Sequence, residues 1–146
     1  MRRPEGSSRY DPQYVRTDYK NPEKLMVWAG ISASGRRRVI HFLDNNQMMT
    51  ADLYCKTLVK SGAVELLKED DLILFHDRAS VHQAGSVATL LKTEGVKGKF
   101  LPGTSADLNP IENAFSRMDQ LLESRPIRNL KELRAEVRRA WRTLTY

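Results

Sequence analysis

The chain of 146 residues has a single cysteine, Cys55, so it can form neither an intramolecular disulfide nor a thiolate zinc cluster. Nor does the spacing among the three histidines suggest a zinc site. No apolar run approaches the roughly 18 residues that suggest a membrane span, and the basic start "MRRPEGSSRY" leads into no apolar stretch, so it does not read as a secretory signal. Internal repeats and low-complexity tracts are lacking too. What remains is a soluble-globular balance of 40% apolar and 29% charged residues, of a length that suits one domain. The net charge of +6 and pI near 9.6 favour polyanionic partners such as nucleic acid, and without an apolar span no membrane partner is expected.

Residues 1–24 are rich in Arg, Pro, Gly, Ser, Asp and Tyr without apolar periodicity and read as an irregular arm, with the folded domain over 25–146. "LMVWAGIS" (25–32) and "RRVIHFLD" (37–44) are β-branched and aromatic runs around a short Gly-containing loop, the pattern of an antiparallel hairpin. Thr50 is a candidate N-cap for a helix over about 50–67, interrupted at Gly62. "DLILFHD" (71–77) is apolar on both faces and predicts an interior strand. A helix over 84–95 closed by Gly95 and a strand over 96–102 ended by Pro102 complete a parallel crossover unit. Asn109 and Pro110 open a helix over 110–123, and Asn129 caps a basic amphipathic helix whose stripe is Leu130, Leu133, Val137, Ala140, Trp141 and Leu144. The fold class is therefore α/β: hairpin, helix, β-α-β crossover and two C-terminal helices.

Ligands of open α/β sheets collect at the carboxyl ends of strands, and Asp77 stands at the end of the oiliest one. An Asp there also caps turns, so position alone leaves both readings open. Glu112 falls in the first turn of a helix, where the dipole favours a carboxylate for stability alone. Together they are two hard oxygen donors suited to Mg2+ or Mn2+, ions that finish their coordination with water and phosphate. Two-ion phosphoryl transfer, with ions roughly 3.5–4 Å apart, asks for about three carboxylates. Asp107 caps a turn, and Asp11, Asp18 and Asp44 lie in arm or loop positions, so only two stand out. His82, five residues after Asp77, is a candidate to orient a carboxylate; His41 and His76 read as packing residues, and Trp28 and Trp141 as core aromatics.

"LFHDRASVHQA" followed by "LPGTSADLNPIENAFSRM" resembles the catalytic core of the mariner superfamily of transposases, in the branch with Glu as the third acid. Asp77 matches that family's second aspartate and Glu112 the glutamate of its Pro-Ile-Glu-Asn signature, with 34 residues between them. The resemblance extends to "RRPEGSSRYDPQYV" and "LMVWAGISASG" and so spans nearly the whole chain. Arg78-Ala79-Ser80 stands where the family usually has Asn-Ala-Pro, and Phe115 where it often has Trp.

The resemblance implies a ribonuclease H-like fold that is incomplete here. The central first strand, with the first catalytic aspartate, is expected upstream of residue 1, as is the helix-turn-helix DNA-binding region. It further implies Asp77 and Glu112 as catalytic metal ligands, His82 and Asn109 as supports, and two Mg2+ or Mn2+ ions. Its partners are DNA, as transposon ends and target, with Arg36, Arg37, Arg38 and Arg78 as candidate contacts, and its location is the nucleus if the host is eukaryotic. With two of three ligands the chain alone is expected to be inactive. The gap left by the absent strand is expected to make it marginal, to close by pairing 25–32 with 71–77, or to recruit a partner strand, by self-association or from the missing N-terminal segment. The alternative reading is a non-enzymatic remnant or co-opted module that uses Arg36–Arg38, Arg134, Arg138, Arg139 and Arg142 to bind nucleic acid or a protein.

Overall fold

The computed structural model describes residues 24–35, 38–44, 47–103, 108–123 and 125–144. The expected arm, except Lys24, lies outside them, as do Arg36, Arg37 and Asp107. Strands β1 (Val27–Ile31) and β2 (Arg38–Phe42) form the antiparallel hairpin, with Ala29 opposite Ile40. Because side chains alternate across a strand, Val27, Ala29, Ile31, Ile40 and Phe42 share one face, and Trp28 and Val39 the other. Both faces are used. The first packs on helices α4 (Pro110–Glu123) and α5 (Leu130–Thr143), around Ala114, Met118, Val137, Ala140 and Trp141. The second packs on α1 (Ala51–Lys60) and α2 (Ala63–Glu69), around Tyr54, Leu58 and Val64.

The helix expected over 50–67 is two helices. Gly62 adopts φ 77°, a left-handed conformation that costs a residue without Cβ little, and the chain restarts as α2 one residue later. The caps at the other ends follow the sequence. Thr50 accepts the Leu53 N–H, and Gly95 closes α3 (Gly85–Glu94) at φ 69°. Asn129 accepts the Glu132 N–H at 2.9 Å, while the Glu132 carboxylate reaches back to the Arg128 N–H at 2.8 Å.

Strand β3 (Ile73–His76) pairs in parallel with β4 (Lys97–Phe100) across α3, the expected crossover. Its inner face, Leu74 and His76, meets the core through Val87 and Leu91, and Gly98 makes room for that contact. A Cβ at 98 would stand 2.7 Å from Leu91 Cδ1, so a larger residue there would require the Leu91 side chain to shift. The other face differs from expectation. Ile73 and Phe75 were expected inside an interior strand, yet Phe75 is 55% exposed and Ile73 is exposed beside Lys97 and Lys99. Alternation is the reason: α1 and α3 cover only the Leu74 side, and α4 and α5 are spent on the hairpin. Among the described residues the strands form two separate two-stranded sheets, so the direct pairing of 25–32 with 71–77 does not form. No described helix is long and apolar enough to cross a membrane.

Candidate active site

Asp77 follows directly on β3 with its side chain 60% exposed, because the ladder ends one residue earlier and the chain turns away. Its Oδ1 accepts the Ala79 N–H at 2.9 Å, a turn that Asp makes readily. The Ala79 carbonyl in turn accepts the His82 N–H at 2.9 Å, which folds the chain back over Asp77. His82 Nδ1 then lies 2.7 Å from the same Oδ1. An ionised carboxylate only accepts, so Nδ1 carries the hydrogen. Oδ2, the other oxygen of this largely exposed carboxylate, accepts no hydrogen bond from the described residues. Burial raises the Asp77 carboxyl, but the Ala79 and His82 hydrogen bonds and the charges of His82 and His76 outweigh it and hold it below the ordinary range.

A cluster of rings supports this corner. His82 packs on Tyr54 with centroids 4.3 Å apart and on His76 at 5.3 Å, and His76 stacks on Phe100 at 4.6 Å. Tyr54, buried in α1, brings its hydroxyl to His76 Nδ1 at 3.3 Å. The Trp28 ring of β1 meets the same tyrosine edge-on, with centroids 6.5 Å apart. Burial, and then the Asp77 charge, push the Tyr54 hydroxyl far up, which keeps it a neutral donor. Burial and the His82 charge push His76 down, against a smaller opposing pull from Asp77. This line of contacts, ring on ring from Trp28 to Tyr54 and then hydroxyl to imidazole at His76, runs from hairpin to helix to second sheet. Sequence reading took His76 for packing only and passed over Tyr54, whose place on the apolar stripe of α1 disguised it. The available signal was the coincidence of His76, Asp77 and His82 around one strand end.

Glu112 stands exposed in the first turn of α4, a helix anchored to the hairpin. Asn109 starts that helix, its side chain accepting the Ile111 N–H at 3.4 Å and its carbonyl the Glu112 N–H at 3.0 Å. Among the described residues no hydrogen bond or ion pair joins Glu112 to Asp77, and no three His, Cys, Asp or Glu side chains gather where a metal could sit. In donor chemistry the two acids fit a hard divalent cation; in number they are two.

Among the described residues, five of the basic candidates have other employment. Arg78 turns along the sheet end, donating to the Leu101 carbonyl at 3.3 Å with its guanidinium over the Phe100 ring. Arg38 donates to the carbonyls of Trp141 and Leu144, which ties β2 to the end of α5. Arg134 donates to the Leu43 carbonyl, Arg138 lies 4.8 Å over Phe42, and Arg139 faces Glu136.

A strand-end aspartate backed by a histidine and a glutamate opening a later helix are thus in place, and comparison with known proteins gives the family. Residues 1–134 match the model of the DDE superfamily endonuclease domain, and the chain belongs to that family. Its sequence is 26% identical over 148 aligned residues to the transposable element Tcb1 transposase of Caenorhabditis briggsae, covering 99% of this chain and 52% of that protein. The chain thus spans about half the length of this curated relative. In fold it is similar to the catalytic domain of Mos1 mariner transposase, with TM-score 0.63 at 16% identity over 84% of this chain and 68% of that one. It is also similar to Mos1 transposase in a paired-end complex with the left transposon end, with TM-score 0.66 at 18% identity over 95% and 43% of the two chains. Further similar structures hold the Mos1 catalytic domain and Raltegravir with Mn or with Mg. The fold is therefore of the mariner, ribonuclease H-like type that the resemblance implied.

Proposed function

We propose that this chain is part of the catalytic machinery of a mariner-type transposase, cutting DNA at transposon ends and joining the freed 3′ hydroxyl to target DNA. One observation carries the reading: in a chain of the DDE family, Asp77 ends a sheet strand with one carboxylate oxygen tied down and the other open. Asp77 and Glu112 are the residues that would hold the Mg2+ or Mn2+, two ions in the full site. Bound there, the cations supply charge neutralisation at the scissile phosphate. Asp77 would offer its open oxygen, with His82 holding the carboxylate in place, and Glu112 would add its own carboxylate from the first turn of α4. Two acids fall short of the about three such a site needs, so the chain by itself is inactive. The nucleus is the place of action in a eukaryotic host.

Binding of nucleic acid by a non-enzymatic module is the weaker reading, because Arg38, Arg134, Arg138 and Arg139 already hold carbonyls, a ring or a carboxylate within the fold. Iron-directed cleavage tests the metal assignment. With Fe2+ in place of Mg2+, ascorbate and peroxide should cut the backbone near both Asp77 and Glu112. Excess Mg2+, Asp77→Asn or Glu112→Gln should suppress both cuts. Cutting at one position only, or at neither, defeats a shared site.

A further inference from the structure

We infer that His82, seated on the Tyr54 ring, is a positioning residue that commits Asp77 Oδ1 to the protein and reserves Oδ2 for the cation, so that Asp77 binds through a single oxygen. This rests on the metal-site reading above and adds to it how the ligand is oriented. Without support, a carboxylate that is 60% exposed can rotate about its Cβ–Cγ bond and offer either oxygen or both. Here two donors converge on Oδ1, the Ala79 N–H at 2.9 Å and the His82 imidazole at 2.7 Å. Rotation would break both at once.

The imidazole is itself immobilised. Its side chain is only 18% exposed, with Tyr54 at 4.3 Å and His76 at 5.3 Å, and its backbone is held by the Ala79 carbonyl. The Tyr54 hydroxyl points to His76 and not to His82, so the tyrosine acts on His82 as a wall and not as a hydrogen-bond partner. Partners of this kind, which hydrogen-bond a ligating carboxylate, commonly contribute about 10- to 100-fold to metal affinity.

The test is Mn2+ titration of the purified chain, followed by the electron paramagnetic resonance signal of free Mn2+, with circular dichroism to verify folding. Asp77→Asn should abolish the site. His82→Phe, which keeps a ring against Tyr54 but has no donor, should weaken Mn2+ about 10-fold, and His82→Asn, whose amide can reach Oδ1, should recover to within about 3-fold of the parent chain. Tyr54→Phe, which keeps the wall, should change affinity by less than about 2-fold. A folded His82→Phe chain that binds Mn2+ like the parent, or a His82→Asn chain no better than His82→Phe, overturns the positioning role while leaving the metal site standing. Binding that is indifferent to Asp77→Asn, or absent from the parent chain, overturns the metal site and the positioning role together.

Discussion

The hairpin and the crossover unit are both two-stranded, yet one is covered on both faces and the other on one. Helices α4 and α5 close over Val27, Ala29, Ile31, Ile40 and Phe42, and the reverse side of the hairpin meets Tyr54 and Leu58 through Trp28 and Val39. Across β3 and β4 the helices cover Leu74 and leave Phe75 and Ile73 to solvent. The difference teaches where chemistry can be placed. The doubly covered sheet anchors Glu112 through α4, whereas the half-covered sheet ends in an exposed Asp77. A site assembled from both therefore depends on what holds the halves together, and in this fold that is the core around Tyr54 and Leu58.

Breaking either core tests whether the halves are one cooperative unit. Leu58→Ala, at 0% exposure, and Trp141→Ala, at 4%, should each cost about 3 kcal/mol or more. In a Leu58→Ala chain that also carries Trp28→Phe, so that Trp141 alone reports, the urea transition of the fluorescence should shift with that of the far-ultraviolet circular dichroism. A tryptophan transition that stays in place would show the hairpin half to fold independently. The next effect is local to that half. Asn129→Ala removes the cap of α5 and should cost about 1 kcal/mol, measured by the same melts, with no loss of cation binding at Asp77.

A change of opposite sign sharpens the picture of the joint. Thr57 is buried beside Leu58, and its hydroxyl oxygen finds no hydrogen-bond partner among the described residues. Thr57→Val keeps the shape and deletes the orphan, so it should stabilise the chain by up to about 1 kcal/mol in urea unfolding. A loss of stability would mean that the hydroxyl is satisfied in solution.

The smallest effect is in pH. His76 titrates below its ordinary 6.5 in the folded chain, so between the two values the unfolded chain binds more protons. The stability from this group is complete above about pH 6.5 and declines as pH falls through that window. His76→Gln should flatten the slope of stability between pH 7.5 and 5.5. Asp77 adds a weaker slope at lower pH, since its depressed carboxyl contributes above its unfolded value and loses that contribution on protonation, discounted because the side chain is largely exposed.

Most of the element order was legible in the residues because it rests on local chemistry. Thr50, Gly95, Pro110 and Asn129 each mark a helix end by what their own side chain or backbone does, and all four stand at such ends. Asp77 was legible for the same reason: an acid that ends an apolar run is conspicuous. Arg38 was not, because its use as a clamp on the end of α5 depends on a segment 106 residues away. Tyr54 was not either, since periodicity says only that a side chain faces inward, not that its hydroxyl will meet a histidine from another strand.

The sequence by itself determined the family, the elements and the two acids, since caps, alternation and motif spacing act over a few residues and need no partner. Only the tertiary structure decided that β3 keeps an open face and that His82, walled by Tyr54, meets one oxygen of Asp77. Those outcomes turn on which helix covers which sheet face, and burial is shared between distant segments in a way no single stretch of chain encodes.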